Sequence, residues 1–234
     1  MNVIAETELS SAESSRSSGH RTFFMISRES MDAANALTLA GLAAAVACSL
    51  LAMNGLLAYA VVALMVSGLC DLFDGVVARS LNRSDGRKNF GGHLDSLVDA
   101  CSFGFAPLVL MYAAGLNHML DVPLLLLFAA CVVWRLAYFD TVGFQSAGAR
   151  RYYTGLPTTY VALILPLVFL AGFGGNAWLR GSLGLATVGL ALAMVSSLPI
   201  RKPSGICYWV FPILGLSLAG VFVMYADEFM RDSL

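Results

Sequence analysis

Four aspartates lie in and beside two apolar stretches of this sequence. They are Asp71, Asp74, Asp95 and Asp99, in the segment CDLFDGVVARSLNRSDGRKNFGGHLDSLVDACSFG. At about 100° per residue, Asp71 and Asp74 differ by about 60° around a helix, and Asp95 and Asp99 by about 40°. Each pair therefore shares a helix face, and two facing helices would bring the four carboxylates together.

Carboxylates inside a membrane need a positive counter-charge. Each ionised one near the bilayer centre costs roughly 2.5–3.5 kcal/mol on insertion scales, and several packed together repel one another. Among the basic residues only Arg79 is placed on these faces. Hard oxygen ligands suit Mg²⁺, Mn²⁺ or Ca²⁺, and four carboxylates can hold two ions. The alternative is a carboxylate-lined pathway for protons or cations in a membrane carrier.

Small residues and one arginine accompany the aspartates. Gly75 follows Asp74, Ala78 comes about one turn later, and Gly91 precedes Asp95 by about one turn. Such positions let a flat ligand approach the backbone, or let helices pack tightly. Arg79 can bind phosphate in bidentate fashion. Together these features indicate a phosphorylated headgroup held by two-metal chemistry.

The composition is that of a membrane protein. Of 234 residues, 58% are hydrophobic and 12% are charged, whereas soluble domains average roughly 25% charged residues. The net charge of −1 and the lack of a basic domain exclude nucleic acid as a partner. Scattered cysteines without a CxxC pair, and histidines without an i,i+4 partner, predict no zinc site.

We predict an all-α fold, a polytopic transmembrane helix bundle. A crossing needs about 20 apolar residues, and about seven such segments follow one another, with six to eight as the range. They are predicted at residues 34–53, 56–80, 91–115, 121–142, 156–174, 180–199 and 207–226. Residues 1–20 form a Ser- and Glu-rich tail that we expect to be disordered and uncleaved. Residues 21–33 are an interfacial amphipathic element or a plain linker, and 34–226 form the transmembrane domain.

Basic residues predict the orientation. They occur before the first segment and after the second, fourth and sixth, whereas the alternate loops carry none or only Arg180. Short loops rich in Lys and Arg stay in the cytoplasm. We therefore expect a cytoplasmic amino terminus, a location in the cytoplasmic (inner) membrane, and carboxylates in the cytoplasmic half of the bilayer.

The aspartate motif resembles the signature of a known family. The pattern Asp71-x-x-Asp74-Gly75-x-x-Ala78-Arg79, followed by Gly91-x-x-x-Asp95-x-x-x-Asp99, is similar to that of the CDP-alcohol phosphotransferases, integral membrane enzymes that make phospholipids. Eleven residues separate Arg79 from Gly91, three more than is usual in the family. We expect the motif to be intact despite this departure, because extra residues in a polar loop cost little closure entropy.

The resemblance implies a site and a mechanism. It implies that two Mg²⁺ or Mn²⁺ ions are held by Asp71, Asp74 and Asp95, with Asp99 close enough to take part. Asp99 would also deprotonate the attacking hydroxyl. The CMP part of CDP-diacylglycerol would be lined by Gly75, Ala78, Arg79 and Gly91. The family analogy further suggests a homodimer among membrane lipids.

Three stretches resemble the membrane-embedded phosphatidylserine synthases within that family. They are HLDSLVDACSFGFAPLVLMYAAGL, RRYYTGLPTTYVALILP and AMVSSLPIRKPS. In the second stretch, Thr159 stands where that group usually has proline. The resemblance implies L-serine as the acceptor alcohol and phosphatidylserine as the product.

Three arginines are candidates for binding the acceptor. Arg150 and Arg151 precede the GLP sequence and either bind the carboxylate of serine or act as positive-inside charges. Arg135 lies inside an apolar segment and needs a partner, either Asp140 or substrate. Ser102 is expected to bond its own backbone rather than serine.

Two alternatives to serine transfer stay open at the sequence level. The same chemistry could use glycerol 3-phosphate, inositol phosphate or choline. A phosphorylated acceptor, however, should demand a denser basic pocket than these three arginines supply. A carrier without enzymatic activity is the second alternative, and it would tolerate replacement of the metal ligands.

Overall fold

The computed structural model describes residues 31–142, 145–147, 150–171, 176–197, 199–201 and 207–225, and describes side chains within 31–141, 155–170, 178–197 and 212–225. The predicted tail at 1–20 lies outside the described residues. Of the predicted element at 21–33, only residues 31–33 are described.

The described part is mainly helical. Its helices are α1 (Ala33–Met53), α2 (Leu57–Ser80), α3 (Asp85–Ala113), α4 (Val122–Val142), α5 (Val161–Ala171), α6 (Asn176–Val195) and α7 (Cys207–Met224). Within α3, a π-helical segment (Ala100–Phe105) separates the α-helical parts Asp85–Asp99 and Ala106–Ala113. A 3₁₀ turn (Thr158–Tyr160) leads into α5.

Five of these helices are long and apolar enough to cross a bilayer. They are Ala33–Met53, Leu57–Ser80, Asp85–Ala113, Val122–Thr141 and Trp178–Val195. Two shorter apolar helices lie at Thr158–Leu170 and Pro212–Met224. The chain is therefore a multi-pass membrane protein, as its composition predicts. The exact number of crossings and the side on which the amino terminus lies stay predictions.

Helix α3 begins earlier than the apolar pattern indicates. It starts at Asp85 rather than near residue 91, so only residues 81–84 separate it from α2. Asp85 lies in the first turn, where a negative charge is favourable beside the positive end of the helix dipole. Much of the long stretch between Arg79 and Gly91 is thus helix rather than the polar loop that the sequence suggests.

The structure contains a small antiparallel sheet, which the all-α prediction did not include. Its strands are β1 (Gln145–Ala147), β2 (Arg150–Thr154) and β3 (Pro199–Arg201), in the order β1-β2-β3. Gln145 pairs with Tyr152, and Tyr153 pairs with Ile200. The strands are too short and irregular in pattern to be read from sequence. They join the segments after α4 and α6, placing two of the basic stretches at the same end of the bundle.

Glycines bring the helices around α2 into close contact. A Cβ built on Gly68 would lie 2.7 Å from the Cβ of Ala162 on α5, closer than real Cβ contacts. On Gly41 of α1 it would lie 3.1 Å from the Cβ of Cys70. Small residues at helix contacts allow such approaches in membranes. Helix α2 is consequently held tightly by α1 on one side and by α5 on another.

Gly155 fixes the segment that precedes the 3₁₀ turn. Its φ is +77°, and a Cβ there would overlap the carbonyl oxygen of Met194. The next residue, Leu156, donates its N–H to the carbonyl of Ala193 at 2.9 Å. Only glycine satisfies both the left-handed backbone and the close approach. The turn at Thr158–Tyr160 is thereby anchored to the end of α6.

Candidate active site

Helices α2 and α3 bring three of the four aspartates together. Asp71, Asp95 and Asp99 each offer a carboxylate oxygen, and these oxygens all lie within 4.8 Å of one another. Asp74 is outside this group: it is buried, and its Oδ2 accepts a hydrogen bond from Thr38 of α1 at 2.5 Å. The four nevertheless line one small cavity of about 10 Å³. That volume is close to the minimum for a single water.

Two buried hydroxyls line the same small cavity. Ser67 and Ser102 are each 1% exposed, and neither Oγ has a hydrogen-bond partner among the described residues. A buried polar group without a partner costs free energy, which makes such groups rare. The expectation that Ser102 bonds its own backbone is therefore wrong. A cation held by the carboxylates would offset their negative charges and place an oxygen-seeking ion beside the two hydroxyls, so the donor set fits a hard divalent ion.

A larger cavity of about 460 Å³ opens beside the carboxylates. Asp71, Asp95 and Asp99 line it together with residues of α2, of α4 and of the 3₁₀ turn before α5. The polar residues from those three elements are Arg79, Arg135, Asp140, Thr158, Thr159 and Tyr160. A ligand in this cavity would therefore contact the carboxylate cluster and both arginines.

The residues expected at the CMP site are only partly in this cavity. Gly75 and Arg79 line it, and a Cβ on Gly75 would lie 3.4 Å from Nη1 of Arg79. Ala78 and Gly91 are not among the lining residues, although Gly92 is. Gly91 instead faces Arg83 and Asn35, since a Cβ there would lie 3.0 Å from Nη1 of the first and from Oδ1 of the second. The roles of these residues in binding CMP stay predictions.

Arg83 ties the segment after α2 to the start of α1. Its Nη2 lies 2.5 Å from Oδ1 of Asp32 and 3.2 Å from Oδ1 of Asn35, and its side chain is 8% exposed. Asp32 also caps α1 by accepting the N–H groups of Ala34 and Asn35. Burial by itself raises the pKa of Asp32, but the bonds from Asn35 and Arg83 outweigh it and lower that pKa. Arg83 is one of the basic residues that follow the second predicted segment. No local sequence signal reveals its contact with Asp32.

Thr159 contacts the carboxylate cluster. Its Oγ1 donates to Oδ2 of Asp71 at 3.1 Å, across 88 positions of sequence. The close contact of Gly68 with Ala162 brings the start of α5 against α2 and so places Thr159 beside Asp71. The sequence shows only that Thr159 replaces the proline that is usual in related synthases. Nothing in its sequence neighbourhood indicates that a hydroxyl here would reach a carboxylate.

Helix α4 supplies another wall of the large cavity. Arg135 is 7% exposed, and its guanidinium carbon lies 5.1 Å from the ring centre of Phe139. Asp140, suggested from sequence as a partner for Arg135, accepts a hydrogen bond at Oδ1 from Ser96 at 2.7 Å. Both Arg135 and Asp140 line the large cavity. Arg150 and Arg151 begin strand β2, and their side chains lie outside the described ones.

The chain belongs to the CDP-alcohol phosphatidyltransferase family, because the family model of that description matches residues 31–199. The family predicted from the aspartate motif is thereby confirmed. The match includes the four aspartates, the cavity wall on α4 and the turn that carries Thr159.

The curated relatives that the chain resembles have names that include serine. The chain is 31% identical over 160 residues to an archaetidylserine synthase of Methanothermobacter thermautotrophicus, covering 67% of this chain and 64% of that protein. It is 33% identical over 143 residues to a CDP-diacylglycerol–serine O-phosphatidyltransferase of Mycobacterium tuberculosis, covering 58% and 49%. The protein of that name from Saccharomyces cerevisiae is 40% identical over 109 residues, covering 44% and 38%. The chain thus spans less than two thirds of the length of these relatives.

Proposed function

We propose that this protein transfers a phosphatidyl group from CDP-diacylglycerol to the hydroxyl of L-serine, releasing CMP and forming phosphatidylserine. The observation that carries the proposal is the cluster of Asp71, Asp95 and Asp99 at the wall of a cavity that also holds Arg79 and Arg135. Carboxylates suited to divalent cations and a guanidinium suited to phosphate are what transfer from a pyrophosphate requires.

The metal ligands in this proposal are Asp71, Asp74, Asp95 and Asp99, holding two Mg²⁺ or Mn²⁺ ions. When bound, the ions neutralise the charge that develops on the phosphate oxygens. Asp74 lines only the smaller cavity, beside Ser67 and Ser102. We propose that these two hydroxyls would lie beside the ions and complete their oxygen-rich surroundings.

The protein side chains bind, orient and accept a proton. Arg79 binds the phosphate of the CMP moiety, and Gly75, Ala78 and Gly91 are assigned to the CMP site with it. Asp99 receives the hydroxyl proton of the acceptor as the oxygen bonds to the lipid-side phosphorus. The bond from that phosphorus to the bridging oxygen breaks, and CMP leaves. Positioning supplies much of the activation, because a carboxylate is a weak base toward an alcohol.

Serine is favoured as the acceptor by the names of the relatives. An archaetidylserine synthase and two serine phosphatidyltransferases differ in the lipid that they are named for but share serine. Arg135 would bind the carboxylate of serine, and Arg150 and Arg151 would assist at the mouth of the cavity. We propose that the site faces the cytoplasmic side of the inner membrane, since the basic segments lie at the same end of the bundle as the site. We also expect a homodimer.

The proposal is tested by measuring CMP release from purified protein in detergent. CDP-diacylglycerol and Mn²⁺ or Mg²⁺ are supplied with serine, glycerol 3-phosphate, inositol phosphate or choline in turn. We expect metal-dependent release with serine and loss of release in Asp99→Asn. Asp85→Asn is the matched control, because Asp85 lies on the same helix and its side chain is 94% exposed, paired with Lys88.

Each other outcome has a distinct meaning. Release with another acceptor keeps the chemistry and replaces serine. Full activity in Asp99→Asn removes the assigned base. No release with any acceptor, in protein that retains its fold, would favour the carrier.

A further inference from the structure

We infer that Asp140 recognises the ammonium group of the acceptor and thereby makes the site specific for a zwitterionic amino acid. This inference rests on the proposed function and adds a specificity-determining residue to it. It is carried by the position of Asp140 on the wall of the large cavity, together with Arg135 on the same helix.

Asp140 is separate from the carboxylates that are suited to a metal. The cluster with oxygens within 4.8 Å contains Asp71, Asp95 and Asp99, and Asp140 is not part of it. Bound cations would offset the charge of that cluster. The exposed carboxylate of Asp140 would then remain as the negative group that α4 contributes to the cavity.

A hydrogen bond from α3 holds Asp140 in place. Ser96 donates to Oδ1 of Asp140 at 2.7 Å, and this bond does not use Oδ2. Ser96 lies three residues before Asp99, or about 4.5 Å along the helix axis. An amine bound at Asp140 would therefore place the rest of a small amino acid within reach of the proposed base.

Arg135 supplies the complementary charge. It lies five residues before Asp140, about 7.5 Å deeper along α4. A guanidinium and a carboxylate at this spacing on one cavity wall match the two charged groups of an amino acid. The same Asp140 would repel a phosphorylated acceptor such as glycerol 3-phosphate, so it disfavours the competing alcohols as well as favouring serine.

The test compares L-serine with 3-hydroxypropionate, which is serine without its ammonium group. Asp140→Asn removes the charge while keeping an oxygen that accepts the hydrogen bond from Ser96. In this variant we expect KM for serine to rise roughly 10- to 100-fold, with a much smaller change in kcat, because one charge-assisted hydrogen bond is lost. The ratio of kcat/KM for serine over 3-hydroxypropionate should fall by the same factor.

Three controls separate recognition from other roles. Asp140→Glu should restore most of the preference for serine. The Mn²⁺ concentration for half-maximal rate should not change in Asp140→Asn, whereas it would rise if Asp140 were a metal ligand. Asp85→Asn should leave KM for serine unchanged.

An unchanged ratio of kcat/KM in Asp140→Asn would overturn the inference while leaving serine transfer intact. If the variant does not fold, the wild-type protein still decides: 3-hydroxypropionate must compete at least about tenfold more weakly than serine, and equal competition overturns the inference. Failure of the proposed function looks different, since wild-type protein would then release no CMP with serine.

Discussion

The hydroxyl of Thr159 holds a carboxylate of the proposed metal site, and its removal should weaken metal binding. The 3.1 Å bond to Asp71 is long for an O–H···O bond to a charged group. We therefore take the lower end of the range for such bonds, about 1.5 kcal/mol. That free energy corresponds to a roughly tenfold loss of affinity.

Thr159→Val is the appropriate change because valine keeps the shape of threonine and removes only the hydroxyl. Mn²⁺ binding is measured by electron paramagnetic resonance on purified protein, and separately from the Mn²⁺ dependence of CMP release. Both midpoints should rise about tenfold in Thr159→Val and return toward wild type in Thr159→Ser. An unchanged Mn²⁺ midpoint in folded Thr159→Val would refute the assignment of Thr159 as a positioning residue for Asp71.

Three further changes probe the fold and the small cavity. Gly68→Val should lower the melting temperature in detergent and the free energy of unfolding by about 1–3 kcal/mol, because the added atoms would press α2 against Ala162. Gly184→Val should have a smaller effect, because nothing lies within 4 Å of a Cβ built there. Equal effects of the two variants would contradict the packing argument. Arg83→Met should lower the free energy of unfolding by about 3 kcal/mol, because it leaves Asp32 without its ion-pair partner. Lys88→Met removes an exposed ion pair and should lower it by at most about 1 kcal/mol. Similar melting temperatures for the two variants would argue against the Arg83 contact. Ser102→Ala should stabilise the metal-free protein, because it removes a buried hydroxyl without a partner, and should weaken Mn²⁺ binding; a change of the same sign in both measurements would oppose the role given to Ser102.

Much of the bundle and the main motif could be predicted from sequence. The apolar segments correspond to helices because a membrane leaves the backbone few other ways to satisfy its hydrogen bonds. Helical spacing likewise placed Asp95 and Asp99 on one face, and the structure brings both together with Asp71.

The separation of Asp74 from that cluster could not be predicted. Its offset of about 60° from Asp71 directs it toward α1, where Thr38 binds it, while Asp71 meets the turn before α5. Helices α1 and α5 pack against α2 through close contacts at Gly41 and Gly68. These contacts join residues far apart in sequence, so they are visible only once the chain is folded. The same is true of Thr159 and Asp140, whose partners lie 88 and 44 positions away.

Catalysis of serine transfer by the aspartate cluster is tested by the ratio of labelled serine recovered in lipid to CMP released. With CDP-diacylglycerol and Mn²⁺, we expect one serine to be incorporated for each CMP released. Both products should be lost in Asp71→Asn and in Asp99→Asn and retained in Asp85→Asn. Release of CMP without labelled lipid, or equal incorporation in wild type and Asp99→Asn, would contradict this expectation.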